Sequence, residues 1–323
     1  MMSTLGSVRR LMLTPALADV SFQRRGFPAS PSAATRHLER IPQAVICGFE
    51  WGIDPGPPGE LESRLTMLTP ELVGFGYEGA TMAFTVLDAM RPGRGQRARS
   101  LLLGPGQPHI FLAYIGIGFA MARLPRVPWK HVIPDLSGSP YYPEMTWLAV
   151  DGYGFDRAYF DTKRWVDQQK RPTPYRWEGS ADYFLRAVDQ GIGRALWFIH
   201  GARPAPVADA VRRFASQRHA DLWSGVGLAA TFAGGCDSDG LTGLRRLAGE
   251  HSAEVAQGAV FAAKARVSSG VIPAYTEVAV AALTDLSAAT AGKLADDAAP
   301  DGSGVQPRYE QWRRNVRRHF LVP

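Results

Sequence analysis

Cysteine is scarce. Only Cys47 and Cys236 occur in 323 residues, and they lie far apart. Without a C-x-x-C pair, a disulfide framework and a cysteine-rich zinc module are excluded, and a reducing cytoplasm is the expected compartment. Long apolar runs are missing too. The most apolar stretch, Ile110–Ala122, is 13 residues long, whereas a spanning helix needs about 20, so the chain is not expected to be integral to a membrane. Met1–Leu13 carries Arg9 and Arg10 but no long apolar segment and no small-residue cleavage site, so no secretory leader is expected. No G-x-S-x-G, H-E-x-x-H or Walker A motif occurs. The seven histidines never pair at i+3 or i+4, which leaves a compact metal site on one helix unsupported. Metal content and cofactor are unknown from these residues.

What is present suits a helical, globular chain. Apolar residues make up 46% and charged residues 20%, enough for a core and unlike a disordered chain. Ala, Leu, Gly and Arg recur while strand formers do not dominate. The net charge of +6 gathers at Arg91–Arg99 and Arg308–Arg318. That excess suits an acidic partner, an anionic membrane surface or simply solubility. Nucleic-acid binding rests on these patches alone and is not expected.

A pattern repeats from about residue 70. Glycine, small residues and an aromatic recur inside apolar segments: Tyr77–Phe84, Tyr114–Ala122, Asp151–Phe160, Asp189–Phe198, Ser224–Phe232 and Gln257–Ala263. Anchored on Gly79, Gly118, Gly154, Gly193, Gly227 and Gly258, the steps are 39, 36, 39, 34 and 31 residues. That interval holds two helices and two loops, the spacing of helix-pair repeats. Between the copies, Pro206–Gln217 carries Val207, Val211 and Phe214 on one stripe, and Asp239–Gly249 carries Leu241, Leu244 and Leu247. Glycine inside a helix costs about 1 kcal/mol relative to alanine. Two compensations fit: close helix–helix approach, or a groove admitting a flat apolar ligand.

The expected fold is therefore all-α, an α-solenoid-like array of helix pairs with an irregular N-terminal segment and a C-terminal helix. Residues 1–69 form the irregular segment, with short helices near Ala33–Gln43 and Leu61–Met67 between prolines. Residues 70–295 form the repeat domain, beginning at Pro70 with Thr69 as its cap. Residues 296–323 form a linker, Asp296–Gln306, and a basic helix, Pro307–Phe320. On that helix Tyr309, Trp312, Val316 and Phe320 share a stripe, with Arg313, Arg314, Arg317 and Arg318 around it. It fits either a cap on the array or a perch on anionic lipid.

Candidate chemistry lies in polar residues embedded in the repeat helices. Glu78, Asp151, Asp189, Gln190, Arg194, Gln257, Arg266 and Glu277 sit beside glycine-bearing apolar segments. Buried charges are costly unless paired, so one reading is an internal ion-pair ladder that fixes register. The other is convergence on one pocket, with Glu78, Asp151, Asp189, Arg194 and Gln257 as catalytic polar groups. Gly116, Tyr153, Gly193, Trp197, Gly227 and Phe232 would then bind substrate, flanked by Tyr114 and Tyr159. Gly225-Val226-Gly227-Leu228-Ala229-Ala230 matches a dinucleotide fingerprint, but no strand precedes it and G-x-G recurs in helical context, which argues against a phosphate loop. Gly235–Gly240 has a fragment of a calcium loop and reads as a turn.

These segments also carry a resemblance. Asp189–Phe198, Ser224–Gly235, Asp151–Phe155, Phe75–Ala80 and the opening Leu5-Gly6-Ser7-Val8-Arg9-Arg10 resemble the domain-of-unknown-function family 1702 over nearly the whole chain. The resemblance implies a place in the gene cassettes for enediyne antibiotic warheads, beside an iterative polyketide synthase, a thioesterase and a membrane electron-transport-like protein. It implies action after the synthase, on a linear polyene intermediate, as an enzyme or an essential subunit of one. The alternative is a non-catalytic helical-repeat scaffold for other cassette proteins. It carries over no catalytic residue. Turning alkenes into alkynes needs an oxidant, and with no cofactor motif in the chain a partner is expected to supply it. The expected location is the cytoplasm, with a peripheral place on the membrane compatible.

Overall fold

The computed structural model describes residues 16–90, 96–300 and 307–321. The opening motif Leu5–Arg10, the basic residues Arg91 and Arg94, and residues 301–306 of the expected linker lie outside them. The described residues form helices and no β-strand; a lone bridge joins Trp177 and Ser180. No single helix among them is long and apolar enough to cross a membrane. After a helical turn at Phe22–Arg25 the helices are α1 Ala33–Ile53, α2 Glu60–Leu65, α3 Pro70–Ala89, α4 Arg97–Leu103, α5 Ile110–Arg123, α6 Trp147–Phe160 and α7 Asp182–Ile199. There follow α8 Pro204–Arg212, α9 His219–Ala233, α10 Ser238–Ala248, α11 Ser252–Ser269, α12 Ala274–Thr284, α13 Ala288–Asp297 and α14 Arg308–Arg318.

The chain divides into two compact units, Met1–Gly26 with Glu39–Tyr153, and Phe27–Leu38 with Gly154–Pro323. In the first unit α3 packs on α1 and α5. A methyl placed on Gly79 would overlap the Val45 carbonyl oxygen, and one on Gly48 the Gly76 carbonyl. On α5, Gly116 faces the Glu78 carbonyl of α3 while Gly118 faces the Ala149 carbonyl of α6. The G-x-G spacing explains this. Residues two apart on an α-helix point about 200° from each other, so two bare positions let one helix meet a neighbour's backbone on each side.

The second unit repeats the device. Gly225 of α9 faces the Gln190 carbonyl of α7, and Gly193 of α7 faces the Leu222 carbonyl of α9. Gly227 faces Val255 of α11, and Gly258 of α11 returns the contact at Ser224. Helices adjacent in this order therefore touch backbone to backbone, which a side chain at any of these glycines would prevent. Amphipathic α8 and α10 pack against each other, with Val207, Val211, Leu241 and Leu244 buried on them and Phe214 buried just after α8.

Several expected boundaries move. The helix expected over Ala33–Gln43 runs on to Ile53 through Pro42. The apolar stretch Ala44–Ile53, with Gly48 and Gly52 against α3, stabilises it past the proline. Pro70 does begin α3, but the Thr69 side chain makes no capping bond. Asp296 and Asp297, expected to open the linker, instead close α13, and Asp296 pairs with Lys264 at 2.7 Å. Glu277 is exposed rather than embedded, and its carboxylate accepts from the Ala288 N–H at 3.0 Å.

Candidate functional site

A dense cluster of polar side chains lies inside the second unit, among α7, α9, α11 and α14. Helical spacing aligns Tyr183, Arg186 and Asp189 with Gln190 along α7. Asp189 is held by Arg218, whose Nη2 approaches Oδ1 at 2.6 Å and whose Nε lies 3.1 Å from both oxygens. The Arg218 guanidinium also stacks 4.6 Å over the Phe214 ring. Asp221 receives Arg186 at 2.9 and 3.2 Å and Arg313 at 2.8 Å. Glu310 takes Arg313 at 3.1 Å, Arg317 at 2.7 Å and Tyr183 Oη at 3.0 Å. Gln257 accepts at Oε1 from Ser224, Arg313 and Arg317, and Gln190 donates to Tyr309 Oη.

Charge balances here. Arg186, Arg218, Arg313 and Arg317 face Asp189, Asp221, Glu310 and, at 3.9 Å from Arg317, Glu254. Arg313 is 0% exposed. Burial pushes the Glu310 carboxyl up, but Arg313, Arg186 and Arg317 outweigh it and bring it down to about 2. At Asp189 burial wins and the carboxyl sits above its ordinary range despite Arg218. Burial also raises the Tyr183 phenol well above its usual range, against the pull of Arg313. A carboxylate fixed by a bidentate arginine is a poor general base, and a phenol pushed upward does not ionise near neutrality. The cluster ties α7, α9, α11 and α14 together through charge-assisted hydrogen bonds.

The expected site residues separate. Glu78, Asp151, Gly116 and Tyr153 belong to the first unit, and Asp189, Arg194, Gln257, Gly193, Trp197, Gly227 and Phe232 to the second. Asp189 and Gln257 share the arginine cluster. Arg194 lies 5.0 Å over the Phe155 ring. Trp197 donates to the Gly234 carbonyl at 2.9 Å. Phe232 lies under the Arg266 guanidinium at 3.9 Å, and Arg266 donates to the Phe232 carbonyl and to Tyr275 Oη at 2.8 Å each. Tyr153 meets Trp129 edge-on at 5.1 Å. Glu78 and Asp151 are buried on α3 and α6. Backbone of the neighbouring helix fills the space that a side chain would take at Gly116, Gly193 and Gly227.

Sequence reasoning missed Tyr183, Arg218, Asp221, Glu310 and Arg313. Arg313 had a signal: it stands four residues after Tyr309 and one after Trp312, on the edge of the buried stripe rather than opposite it. Cavities lined by described residues of the first unit include one of about 490 Å³ beside Pro55–Gly59 and one of about 610 Å³ where α3 and α5 end. None of the expected site residues lines either. Among the described residues no group of three or more His, Cys, Asp or Glu is placed to hold a metal ion.

Residues 4–320 match the family described as Protein of unknown function (DUF1702). No curated protein and no solved structure matches the chain.

Proposed function

The chain belongs to the DUF1702 family, and from that premise we propose that it serves enediyne core biosynthesis as an essential binding and scaffolding subunit. It acts after the polyketide synthase and holds a linear polyene intermediate or the cassette proteins that process it. The resemblance to enediyne cassette members supports the pathway. One observation carries the choice of role: two of the polar candidates, Asp189 and Gln257, are bound to arginines inside the second unit. We read the helix contacts in each unit as a helix-pair, solenoid-like repeat, an architecture that presents extended binding surfaces. Redox power comes from a partner, in this reading the membrane electron-transport-like neighbour, and the setting is the cytoplasm.

The catalytic reading retains one specific support. Glu78 and Asp151, buried at 2% and 1% exposure, lie on the two helices that flank α5. Buried carboxylates of this kind are candidate acids or bases. Reconstitution of the cassette proteins with the polyene separates the two. The scaffold predicts that product forms only when this chain is present and survives Glu78→Gln and Asp151→Asn in folded protein. Loss of product with a folded Glu78→Gln or Asp151→Asn chain establishes catalysis. Unchanged turnover without the chain removes both.

A further inference from the structure

A cavity of the first unit, about 610 Å³, lies within the usual ligand-pocket range of ~300–1,000 Å³. It forms where α3 and α5 end, against the turn Val127–His131 and the prolines 125, 128 and 134. Its polar walls are already engaged. Thr85 Oγ1 donates to the Thr81 carbonyl at 2.8 Å. Asp88 accepts from Arg97 at 3.3 Å and from the Ala98 N–H at 3.1 Å. Ala89, Ala98, Leu124 and Val132 complete an apolar interior. At the rim two large apolar side chains stand in water, Met90 at 59% and Val127 at 79% exposure. Such exposure beside a hollow marks a binding surface more often than a scattered surface residue does.

Asp88, the acid in the lining, is already paired with Arg97, which leaves Lys130 as the cation of the lining. Lys130 and His131 line the cavity, are exposed, and form no ion pair among the described residues. From Arg123 to His131 the chain carries Arg123, Arg126 and Lys130, with no acid before Asp135. Helix C-termini disfavour anions, but Arg123 answers α5 with Nη1 3.3 Å from the Phe119 carbonyl, and Arg97 pairs with Asp88 near the end of α3.

We propose that this cavity binds the hydrocarbon chain of an anionic amphiphile, a long-chain carboxylate, with its head at Lys130 and His131. The apolar interior takes the chain and excludes water. Lys130, a compact ammonium on a flexible stem, meets the carboxylate at the surface. The inference stands without the pathway role above.

Calorimetric titration of the full chain with palmitate, below its aggregation threshold, tests this. Saturable one-to-one binding is expected. Ala89→Phe fills the cavity and should weaken binding about tenfold or more, a loss of ~1.4 kcal/mol. Lys130→Glu changes an exposed side chain and leaves the fold intact. It should weaken palmitate roughly fivefold, the scale of a surface ion pair, and leave 1-hexadecanol unaffected. Absence of saturable palmitate binding, or an affinity indifferent to both substitutions, overturns the proposal. So does association with palmitate-bearing vesicles but not with monomeric palmitate, which makes the patch a membrane-contact surface.

Discussion

At the residue scale, glycines of one helical type play opposite parts. Gly227 lies against the Val255 backbone, whereas nothing lies within 4 Å of a methyl placed on Gly243. Gly243→Ala should therefore gain helix propensity, up to about 1 kcal/mol. Gly227→Ala must push α9 from α11 and should cost about 3 kcal/mol, the upper end of overpacking. Thermal melting reads the pair, and a Gly227→Ala chain as stable as the native one removes the backbone-contact explanation. His200 gives a pH prediction. It caps α7, is 8% exposed, and burial together with Arg213 and Arg203 lowers its imidazole to about 4. An unfolded histidine takes its proton near 6.5. The folded group resists protonation, so its stabilisation is complete above pH 6.5 and is lost as pH falls from there to about 4. The full difference is on the order of 3 kcal/mol. Acid melts of His200→Gln should lack this slope between pH 6.5 and 4. An unchanged slope places the acid sensitivity elsewhere.

Among the elements, α14 shows how an amphipathic pattern can mislead about charge. Of its expected stripe, Tyr309, Trp312 and Val316 are buried while Phe320 lies past the helix end and is half-buried, and Trp312 Nε1 donates to the Ala295 carbonyl at 2.6 Å. That docking favours the cap over the lipid perch. Arg313, grouped by sequence with the surrounding basic face, instead enters the core and joins Asp221, Glu310, Tyr183 and Gln257. Replacing it by Met keeps the volume but removes a cation from two buried carboxylates, which typically costs ~3–5 kcal/mol. Arg186 and Arg317 remain beside them, so the lower end is expected. Arg314 is exposed, and Arg314→Ala should stay within about 0.5 kcal/mol. Denaturant midpoints compare the two, and equal effects would show that the buried arginine adds nothing to docking. Glu310 sets a second acid limit. Held at about 2 against an ordinary 4.5, its contribution is complete above pH 4.5 and disappears as pH falls from 4.5 to 2.

For the whole molecule, the helical class and the rhythm of glycine segments were legible in the sequence, because a 3.6-residue period and an interval of 31–39 residues are local properties. The reach of α1 past Pro42 and the pairing of Asp189 with Arg218 were not. Both depend on which helix lies alongside, which no local pattern states. The test of the proposed role turns on that same pairing. Asp189→Asn alone leaves Arg218, 3% exposed, without its countercharge, so it should destabilise the second unit by about 3 kcal/mol or more. Lost product in that variant would be ambiguous between chemistry and folding. The double replacement Asp189→Leu with Arg218→Met resolves it, since an apolar pair of similar volume can be neutral or stabilising where an ion pair stood. If the pair only fixes register, the double variant regains both its melting temperature and product formation in the reconstituted cassette. If stability returns and product does not, Asp189 takes part in the chemistry and the scaffold reading fails.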